Sequence, residues 1–330
     1  MDIKQAKITA VGHYLPDNVV TNFDLEKIMD TNDEWIRTRT GISERRYLKD
    51  PDKATAFMAA EAAKEALDQR GVNPEEIDLI IVATVTPDYL FPATACLVQN
   101  MIGATKAFAF DLSAACSGFL YALTTAASFI EAGRYEKVLL IGSDKMSSIL
   151  NFKDRTTSIL FGDGAGAVLL EESTDGSGIV DSIHYTDGDV NCSLYQHAGG
   201  SMNPASQETI DNDDHFLRQD GKAVFKKATM GMADVSLEIM EKNGLSADDV
   251  AWLVPHQANL RIIDATARRM GLSTEKVMIN INKYGNTTAG TIPLCLYDWQ
   301  DRLNFGDNLI LSAFGGGFTW GSVYVKWGIK

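Results

Sequence analysis

The chain has 330 residues, of which 45% are hydrophobic and 22% are charged, a composition typical of a globular protein with ample material for a large core. The formal net charge is −14 at pH 7. This charge argues against a general nucleic-acid-binding protein, which needs a dominant basic surface, and the length is enough for two domains or one large one.

The N-terminal stretch, Met1–Pro16, lacks the pattern of a signal peptide. No apolar run in the sequence approaches the roughly 18 residues that a membrane-spanning helix needs. We therefore expect a soluble, cytoplasmic protein that does not insert into a membrane.

Helices and strands alternate along the first half of the chain. The predicted order is a helix ending at Gly71, a buried strand ending at Val82, a helix ending at Gly103, a strand over Ala107–Leu112, a helix that follows Cys116, and a strand over Val138–Ser143.

The second half repeats this order. Three segments recur at nearly constant spacing: Gly71–Val82 as Gly244–Pro255 (244 − 71 = 173), Met101–Gly103 as Arg269–Gly271 (271 − 103 = 168), and Val138–Ser143 as Asn308–Ala313 (308 − 138 = 170). A short strand is also predicted over Lys276–Ile281. Because the offsets vary by only a few residues, duplication explains them better than chance.

Strands that alternate with helices predict a largely parallel sheet in each half, covered on both faces. The boundary is placed at the polar turn Glu171–Gly178, so that residues 1–174 form an N-terminal half and residues 175–330 a C-terminal half. Two such halves packed together would bury helices between their sheets. The segments Asp30–Asp50 and Asp187–Asp220 lie outside the repeat and are interpreted as functional or disordered loops.

Cys116 differs from the other cysteines because it lies between a predicted strand and a helix. The unpaired N–H groups and the dipole of a helix N-terminus favour a thiolate, so we expect its pKa to be lowered. The four cysteines show neither a CxxC spacing nor a disulfide framework. Cys96, Cys192 and Cys295 are interpreted as small buried apolar residues.

Two further residues occupy similar positions. Applying the repeat offset to Cys116 gives Asn286 (116 + 170 = 286), which we expect to face the same cleft across a pseudo-twofold axis. His256 directly follows the repeated strand, and open α/β sheets bind ligands at the carboxyl ends of their strands. Each residue alone has an ordinary structural explanation, but their joint placement at three related strand–helix corners indicates a catalytic set.

Seven stretches carry a more specific signal: DTNDEWIRTRTGISER, LFPATAC, AACSGF, FGDGAGAV, WLVPHQANLRII, YGNTTAG and AFGGGFTWGS. They resemble the β-ketoacyl-acyl-carrier-protein synthase III family of the thiolase-like superfamily, and the similarity runs from about Thr9 to Trp327. The resemblance implies a thiolase-like α/β fold of five layers, αβαβα, built from two duplicated halves.

The resemblance also implies a function, namely an acyltransferase that begins fatty acid biosynthesis by a decarboxylative Claisen condensation. Cys116 would accept an acyl group from a primer acyl-CoA, most simply acetyl-CoA, and transfer it to malonyl-acyl carrier protein. His256 and Asn286 would donate hydrogen bonds to the malonyl thioester carbonyl. The backbone N–H groups of Cys116 and Gly317 would form the oxyanion hole. The resemblance also implies a homodimer, and it implies that the reaction requires neither a metal nor a redox cofactor.

Other positions follow from the resemblance. Trp35, Arg39 and Arg155 would contact the adenine and phosphates of CoA, and Phe91 would reach across the dimer to cap the partner's acyl pocket. Lys222 departs from the family pattern, because an asparagine usually stands there near the pantetheine arm, and this leaves the contacts with CoA open.

A basic face is predicted as the docking site for an acidic carrier protein, because an acidic chain needs a local positive region for such a partner. It consists of Lys226, Arg261, Arg268 and Arg269, the last three on one side of a predicted helix.

Two other functions stay open from the sequence. One is a related Cys-His-Asn enzyme, such as a type III polyketide synthase or an acyltransferase of secondary metabolism. The other is an inactive ketosynthase-like binding subunit, against which the three candidate catalytic residues argue. The primer length stays open as well, because Asp187–Asp220 matches the family poorly.

Overall fold

A computed structural model of the chain describes residues 4–188 and 191–330. Its strands are β1 (Gln5–Tyr14), β2 (Val19–Thr21), β3 (Glu44–Arg46), β4 (Leu79–Ala83), β5 (Phe108–Leu112), β6 (Lys137–Asp144), β7 (Gly164–Ser173), β8 (Gly178–Thr186), β9 (Leu194–Gln196), β10 (Leu217–Gln219), β11 (Trp252–Pro255), β12 (Asn308–Gly315) and β13 (Thr319–Lys326). Its α-helices are α1 (Asn22–Leu25), α2 (Asp33–Thr40), α3 (Thr55–Arg70), α4 (Thr94–Ile102), α5 (Gly118–Glu131), α6 (Gln207–Asp211), α7 (Gly221–Lys242), α8 (Leu260–Arg269), α9 (Ile281–Tyr284) and α10 (Thr291–Trp299). In these two ranges no helix combines the length and the apolarity needed to cross a membrane.

Two mixed sheets form the centre of the molecule. Their strand orders are β1-β7-β6-β4-β5 and β11-β12-β13-β8. Among the named strands of these two sheets, as far as the structure describes them, the parallel pairs are β4 with β5, β4 with β6, and β11 with β12. The prediction of largely parallel sheets is therefore wrong. The short connection 316–318 between β12 and β13 explains part of the difference, because a parallel return needs a crossover of a dozen or more residues.

Helices cover the outer faces of both sheets and fill the space between them. Helices α5 and α10 lie between the sheets in a shared apolar core. Helices α3 and α4 pack on the outer face of the first sheet, and α7 and α8 pack on the outer face of the second. This arrangement confirms the predicted five-layer αβαβα fold.

The duplicated plan is visible in the helix ends. Glycines follow α3, α4, α7 and α8 in the left-handed region, with φ values of 69° at Gly71, 75° at Gly103, 65° at Gly244 and 73° at Gly271. A residue without a Cβ adopts this conformation readily. The predicted boundary at residues 174/175 falls in the turn between β7 and β8, and the division into two domains stays a prediction.

One predicted strand is nearly absent. The segment Lys276–Ile281 contributes only a single parallel bridge, between Val277 and Leu253 of β11. The backbone N–H groups of Asn280 and Ile281 donate instead to the buried side-chain oxygen of Gln257, each at 3.1 Å. A side chain thus replaces the sheet as hydrogen-bond partner, and the chain turns into α9 at Ile281.

The two segments outside the repeat have structure of their own. Asp30–Asp50 contains α2 and β3, and β3 pairs with β2. In Asp187–Asp220, strands β9 and β10 pair with each other around α6, and residues 189–190 lie outside the described residues. Both segments contribute to the walls of the site described next.

Candidate active site

Cys116 lies in a 3-10 turn, Ala115–Ser117, between β5 and the start of α5. The side chain is 7% exposed. The Ser117 hydroxyl donates to the Thr319 carbonyl at 2.9 Å, which ties the turn to the second sheet. A Cβ atom at Gly315 would lie 2.7 Å from the Cys116 nitrogen, so only glycine permits this approach of the two backbones.

Burial dominates the electrostatics of the Cys116 thiol. Loss of solvation and, second to it, the carboxyl group of Asp144 raise its pKa to about 12, although hydrogen bonds from the Cys116 backbone N–H and the Asn286 side chain act in the opposite direction. The direction is opposite to the one expected from the helix N-terminus, because desolvation of the thiolate outweighs the dipole of the helix. The thiol is therefore protonated at neutral pH.

His256 directly follows β11 and is 1% exposed. Its backbone N–H donates to the Ser312 carbonyl at 2.7 Å, which holds it against β12. The ring atom Nδ1 lies 2.7 Å from the Thr291 hydroxyl oxygen, whereas Nε2 has no hydrogen-bond partner in the described part of the chain. Burial lowers the pKa of His256 to about 3, so the imidazole is neutral at neutral pH.

Asn286 is held by its backbone and by its side-chain oxygen. Its backbone N–H donates to the Leu160 carbonyl at 2.9 Å, and its Oδ1 accepts from the Thr288 backbone N–H at 2.8 Å. Because the oxygen is already engaged, the amide N–H groups are the part directed at the Cys116 sulfur. Asn286 therefore presents donors to the site.

The three side chains line one open cavity of about 540 Å³. Trp35, Arg39, Lys222 and Arg261 also contribute to its walls. A second, smaller cavity of about 190 Å³ begins at Cys116, and its apolar walls include Val85, Met146, Ile149, Phe161, Leu194 and Leu217. An open approach thus leads to the thiol, and an apolar pocket begins at the same atom.

Aromatic and basic side chains meet at the approach to the thiol. The guanidinium carbon of Arg39 lies 4.9 Å from the centre of the Trp35 ring, and that of Arg155 lies 5.3 Å from it. Arg155 does not line the cavity, and it forms an ion pair with Asp30 at 3.1 Å. Of these three predicted residues, Trp35 and Arg39 therefore line the cavity, whereas Arg155 contacts the Trp35 ring from outside the cavity wall.

The remaining predicted residues lie farther from the thiol. Gly315 lines the open cavity and Gly316 the apolar one, whereas Gly317 lines neither. Phe91 is 86% exposed and also lines neither. The basic face is exposed on α7 and α8, and only one of its four members, Arg261, reaches the cavity, with its guanidinium 4.8 Å from the Phe225 ring centre.

Three buried polar residues at the site escaped the sequence analysis, namely Asp144, Thr288 and Thr291. Asp144, at the end of β6, accepts from the hydroxyl groups of Thr84, Thr86 and Thr288. The sequence holds a weak signal for them, because three threonines follow Asn286 within five residues and an aspartate ends a largely apolar strand. Which groups these side chains contact depends on long-range packing.

The other cysteines take different positions from those expected. Cys295 is buried, whereas Cys96 and Cys192 are exposed, so the interpretation of all three as buried residues is wrong for two. In α4 the buried face uses Ala95, Val98 and Ile102, which turns Cys96 outward. Among the described residues no group of three His, Cys, Asp or Glu side chains is arranged to hold a metal ion.

Comparison with known proteins gives consistent relatives. Residues 110–188 match the family described as 3-oxoacyl-[acyl-carrier-protein (ACP)] synthase III, and residues 240–327 match its C-terminal family. The β-ketoacyl-[acyl-carrier-protein] synthase III of Chlorobaculum tepidum is 59% identical over 327 residues, which cover 98% of this chain and 99% of that protein.

Solved structures agree with these sequence matches. The 3-oxoacyl-[acyl-carrier-protein] synthase III of Aquifex aeolicus matches with a TM-score of 0.90 at 46% identity, over 98% of this chain and 100% of that one. The priming β-ketosynthase of the R1128 polyketide biosynthetic pathway matches with a TM-score of 0.90 at 33% identity, over 98% of this chain and 97% of that one.

Proposed function

The chain belongs to the 3-oxoacyl-[acyl-carrier-protein] synthase III family of acyltransferases, and from this premise we propose how its site condenses a primer with malonyl-acyl carrier protein to initiate fatty acid biosynthesis. The observation that carries the proposal is the single cavity in which Cys116, His256 and Asn286 meet. A nucleophile and two neutral hydrogen-bond donors in one buried site suit thioester chemistry.

In the first stage, the Cys116 sulfur attacks the thioester carbonyl of a primer acyl-CoA. The carbon–sulfur bond to CoA breaks, and the departing CoA sulfur takes the proton that the Cys116 thiol gives up. The tetrahedral oxyanion is held by the backbone N–H of Cys116 and by one from Gly315–Gly317, where Gly317 is the residue predicted from the sequence. The acyl chain enters the apolar cavity that begins at the sulfur.

In the second stage, His256 and Asn286 donate hydrogen bonds to the thioester carbonyl of malonyl-acyl carrier protein. Carbon dioxide leaves, and its bonding electrons pass into an enolate whose oxygen these donors stabilise. The enolate carbon attacks the acyl group, and Cys116 leaves as a thiolate that regains a proton from solvent. The pKa of His256, lowered by burial to about 3, supports donation from a neutral ring.

The size of the apolar cavity supports a short primer. The cavity that begins at Cys116 has a volume of about 190 Å³ and mostly apolar walls, whereas the open cavity that leads to the thiol has a volume of about 540 Å³. We therefore propose acetyl-CoA, or another primer with a short acyl group, as the substrate. The steps use only thioesters and protein groups, and the absence of a metal or redox cofactor stays a prediction that dialysis against a chelator tests.

The approach to the thiol supports binding of CoA and of the carrier protein's prosthetic arm. Trp35 offers a flat surface for adenine, and Arg39, Lys222 and Arg261 line the same cavity with positive charge. Because Lys222 has no ion-pair partner in the described part of the chain, its charge is available to a phosphate group. We expect Lys222→Gln to raise the KM for both thioester substrates several-fold, because both carry a phosphate on the pantetheine arm.

The exposed basic face supports docking of an acidic carrier protein. Arg268 has no ion-pair partner among the described residues, whereas Arg269 pairs with Asp234 at 3.3 Å. We expect Arg268→Ala to raise the KM for malonyl-acyl carrier protein and to leave the KM for acyl-CoA unchanged. Arg134→Ala, an exposed arginine just after α5, is the matched control, and an equal effect of the two variants would argue against this docking face.

A homodimer is supported by a run of exposed apolar side chains. Tyr89, Leu90 and Phe91 are 61%, 83% and 86% exposed. The edge strand β5 also exposes an apolar side chain, because Phe108 is 41% exposed, and unpaired strand edges invite pairing with a second chain. Sedimentation of the wild type and of Leu90→Ser tests this proposal, with a weaker dimer expected for the variant. The cytoplasmic location stays a prediction.

The proposed function is tested by mass spectrometry after incubation with acetyl-CoA. We expect one acetyl adduct on Cys116, absent in Cys116→Ala and retained in Cys96→Ala, which removes an exposed cysteine instead. Absence of an adduct with every acyl-CoA offered would favour the inactive binding subunit.

The second half of the reaction is tested with a substrate panel. Acetyl-, isobutyryl- and longer acyl-CoAs are each offered with malonyl-acyl carrier protein and with malonyl-CoA. We expect turnover of the short primers with the carrier-protein substrate. Turnover with malonyl-CoA alone would favour the alternative of a type III polyketide synthase-like enzyme.

A further inference from the structure

The Thr291 hydroxyl is the one hydrogen-bond partner of the His256 ring among the described residues. Its Oγ1 lies 2.7 Å from Nδ1 of the imidazole. Thr291 begins helix α10 and is 2% exposed, and His256 is 1% exposed. Because both groups are shielded from water, neither can exchange this contact for a solvent hydrogen bond without exposing the core.

A hydroxyl has a single proton, and two acceptors lie within its reach. One is His256 Nδ1 at 2.7 Å, and the other is the Thr288 carbonyl oxygen at 3.0 Å. This carbonyl already accepts the backbone N–H of Thr291 itself. The carbonyl is thus satisfied without the hydroxyl, whereas Nδ1 has no alternative partner in the described part of the chain.

We infer that Thr291 is a positioning residue that holds His256 in the tautomer whose proton is on Nε2. The hydroxyl donates to Nδ1, so the single ring proton of the neutral imidazole lies on the other nitrogen. This nitrogen has no protein partner, and the His256 side chain lines the open cavity. Nε2 therefore offers an N–H to a substrate. The inference rests on the proposed role of His256 as a hydrogen-bond donor.

The opposite tautomer does not support that role. If Nδ1 carried the proton, it would donate to Oγ1, and the hydroxyl would turn to the already satisfied Thr288 carbonyl. Nε2 would then present a lone pair to the cavity and would repel the electron-rich enolate oxygen. The direction of one buried hydroxyl group thus decides whether His256 stabilises the intermediate.

The same turn orients the second donor. The backbone N–H of Thr288 donates to Oδ1 of Asn286, and the Thr288 hydroxyl donates to Asp144 at the end of β6. The segment 286–291 therefore directs both donors at the cavity, the amide through Thr288 and the imidazole through Thr291. This shared support gives a role to two of the three threonines that follow Asn286, namely Thr288 and Thr291.

The test compares Thr291→Val, which keeps the shape of the side chain without its hydroxyl, with Thr291→Ser, which keeps the hydroxyl. We expect valine to slow decarboxylation of malonyl-acyl carrier protein about 10- to 100-fold and to leave acetylation of Cys116 within about twofold. Serine should retain most of the wild-type rate. Thr287→Val is the matched control, because the Thr287 hydroxyl in the same turn is buried without a partner.

Two outcomes of these rates would overturn the inference. One is a wild-type decarboxylation rate in Thr291→Val. The other is an equal loss of both stages in that variant, which would indicate a structural defect. The double variant Thr291→Val/His256→Ala should decarboxylate no more slowly than His256→Ala, because Thr291 acts through the imidazole. A further loss in the double variant would contradict the inference.

A spectroscopic measurement separates this inference from the proposed function. Nitrogen NMR of histidine-labelled protein shows which ring nitrogen carries the proton, and His256→Ala identifies the signal. We expect Nε2 to be protonated in the wild type and in Thr291→Ser, and a mixture of tautomers in Thr291→Val. A wild-type proton on Nδ1 would overturn the inference. If instead His256→Ala decarboxylates normally, the proposed role of His256 fails, whatever the tautomer.

Discussion

The corner that carries Cys116 and the corner before α10 have the same backbone construction. Each contains a 3-10 turn directly before a buried helix, Ala115–Ser117 before α5 and Thr288–Gly290 before α10. Each also has one non-glycine residue in the left-handed region, Ala115 with φ 49° and Thr288 with φ 51°. These two residues lie 173 positions apart (288 − 115 = 173), which matches the largest offset of the sequence repeat.

The two corners differ in chemistry and in the position of their functional side chains. At the offset of 173, the counterpart of Cys116 is Ala289 (116 + 173 = 289), and Asn286 lies three residues before that counterpart. The assumed equivalence of Cys116 and Asn286 is therefore wrong in register, although both reach one cavity. Duplication preserved the backbone, and each half placed its reactive group at a different point along the turn.

The surroundings of the two corners support the different roles that we propose for them. A Cβ on Gly118 would contact Ala83 and Ala289 at 3.3 and 3.8 Å, so the first corner is closely packed by small apolar groups. The second corner is a polar network in which threonines connect Asp144, Asn286 and His256. The first corner supplies a thiol kept neutral by burial, and the second supplies oriented donors.

The largest expected effect separates the roles of the corners. Asn286→Asp keeps the shape of the side chain but replaces its N–H donors with a negative carboxylate. We expect decarboxylation to fall about 100- to 1,000-fold, the range for loss of one oxyanion donor, with acetylation of Cys116 retained. Single-turnover rates of each stage measure this effect, and Thr287→Val is the control. An equal loss of decarboxylation and of acetylation would contradict the proposed division of roles.

A smaller effect is expected where the corners meet. Asp144→Asn removes the buried carboxyl group that raises the pKa of the Cys116 thiol, so this pKa should fall and alkylation by iodoacetamide at neutral pH should become about tenfold faster. Peptide mass spectrometry distinguishes Cys116 from the exposed cysteines. The control is Asp163→Asn, a buried aspartate that does not contribute to this shift. Unchanged alkylation in Asp144→Asn would show that burial alone sets the pKa.

Burial of His256 also predicts how stability depends on pH. Its pKa of about 3 lies below the ordinary value of about 6.5, so between these values the unfolded chain binds a proton that the folded chain does not. The free energy of unfolding therefore rises with pH across this window, and the contribution is complete above pH 6.5. His256→Gln should flatten the rise by at most about 1.4 kcal/mol per pH unit.

Urea unfolding at several pH values measures this dependence. His184 provides the comparison, because burial lowers its pKa to about 4, which leaves a narrower window below the ordinary value. His184→Gln should therefore flatten the rise over fewer pH units than His256→Gln. Equal slopes in the wild type and in His256→Gln would show that the ring is not held neutral.

The smallest effect concerns the two left-handed residues. Ala115→Gly relieves the Cβ strain at positive φ, but it also increases the conformational entropy of the unfolded chain. These opposing effects should leave the free energy of unfolding within about 1 kcal/mol of the wild type. Thr288→Gly also loses the hydroxyl bond to Asp144 and should be the less stable variant. Thermal unfolding ranks the pair, and the reverse order would contradict the assignment of the polar network to the second corner.

Much of the fold could be predicted because its signals are local. The glycines at helix ends, such as Gly71 and Gly244, and the order of apolar segments predicted two α/β halves with helices buried between their sheets. The resemblance to the family then implied the five layers. The antiparallel direction of β7 and of β13, each in its own sheet, could not be predicted. The hydrophobic pattern of a strand does not specify its direction. It could not be predicted either that Lys276–Ile281 forms almost no strand, because this depends on hydrogen bonds with the side chain of Gln257, which is distant in sequence.

The sequence by itself determined the family, the layered architecture and the identity of the three central residues, because these follow from the order of elements along the chain and from long specific motifs. Only the tertiary structure decided the state of those residues. The pKa of Cys116, the neutral ring of His256 and the orientation of Asn286 depend on burial and on Asp144, Thr288 and Thr291. Desolvation and hydrogen bonding act between segments that are distant in sequence and adjacent only after folding.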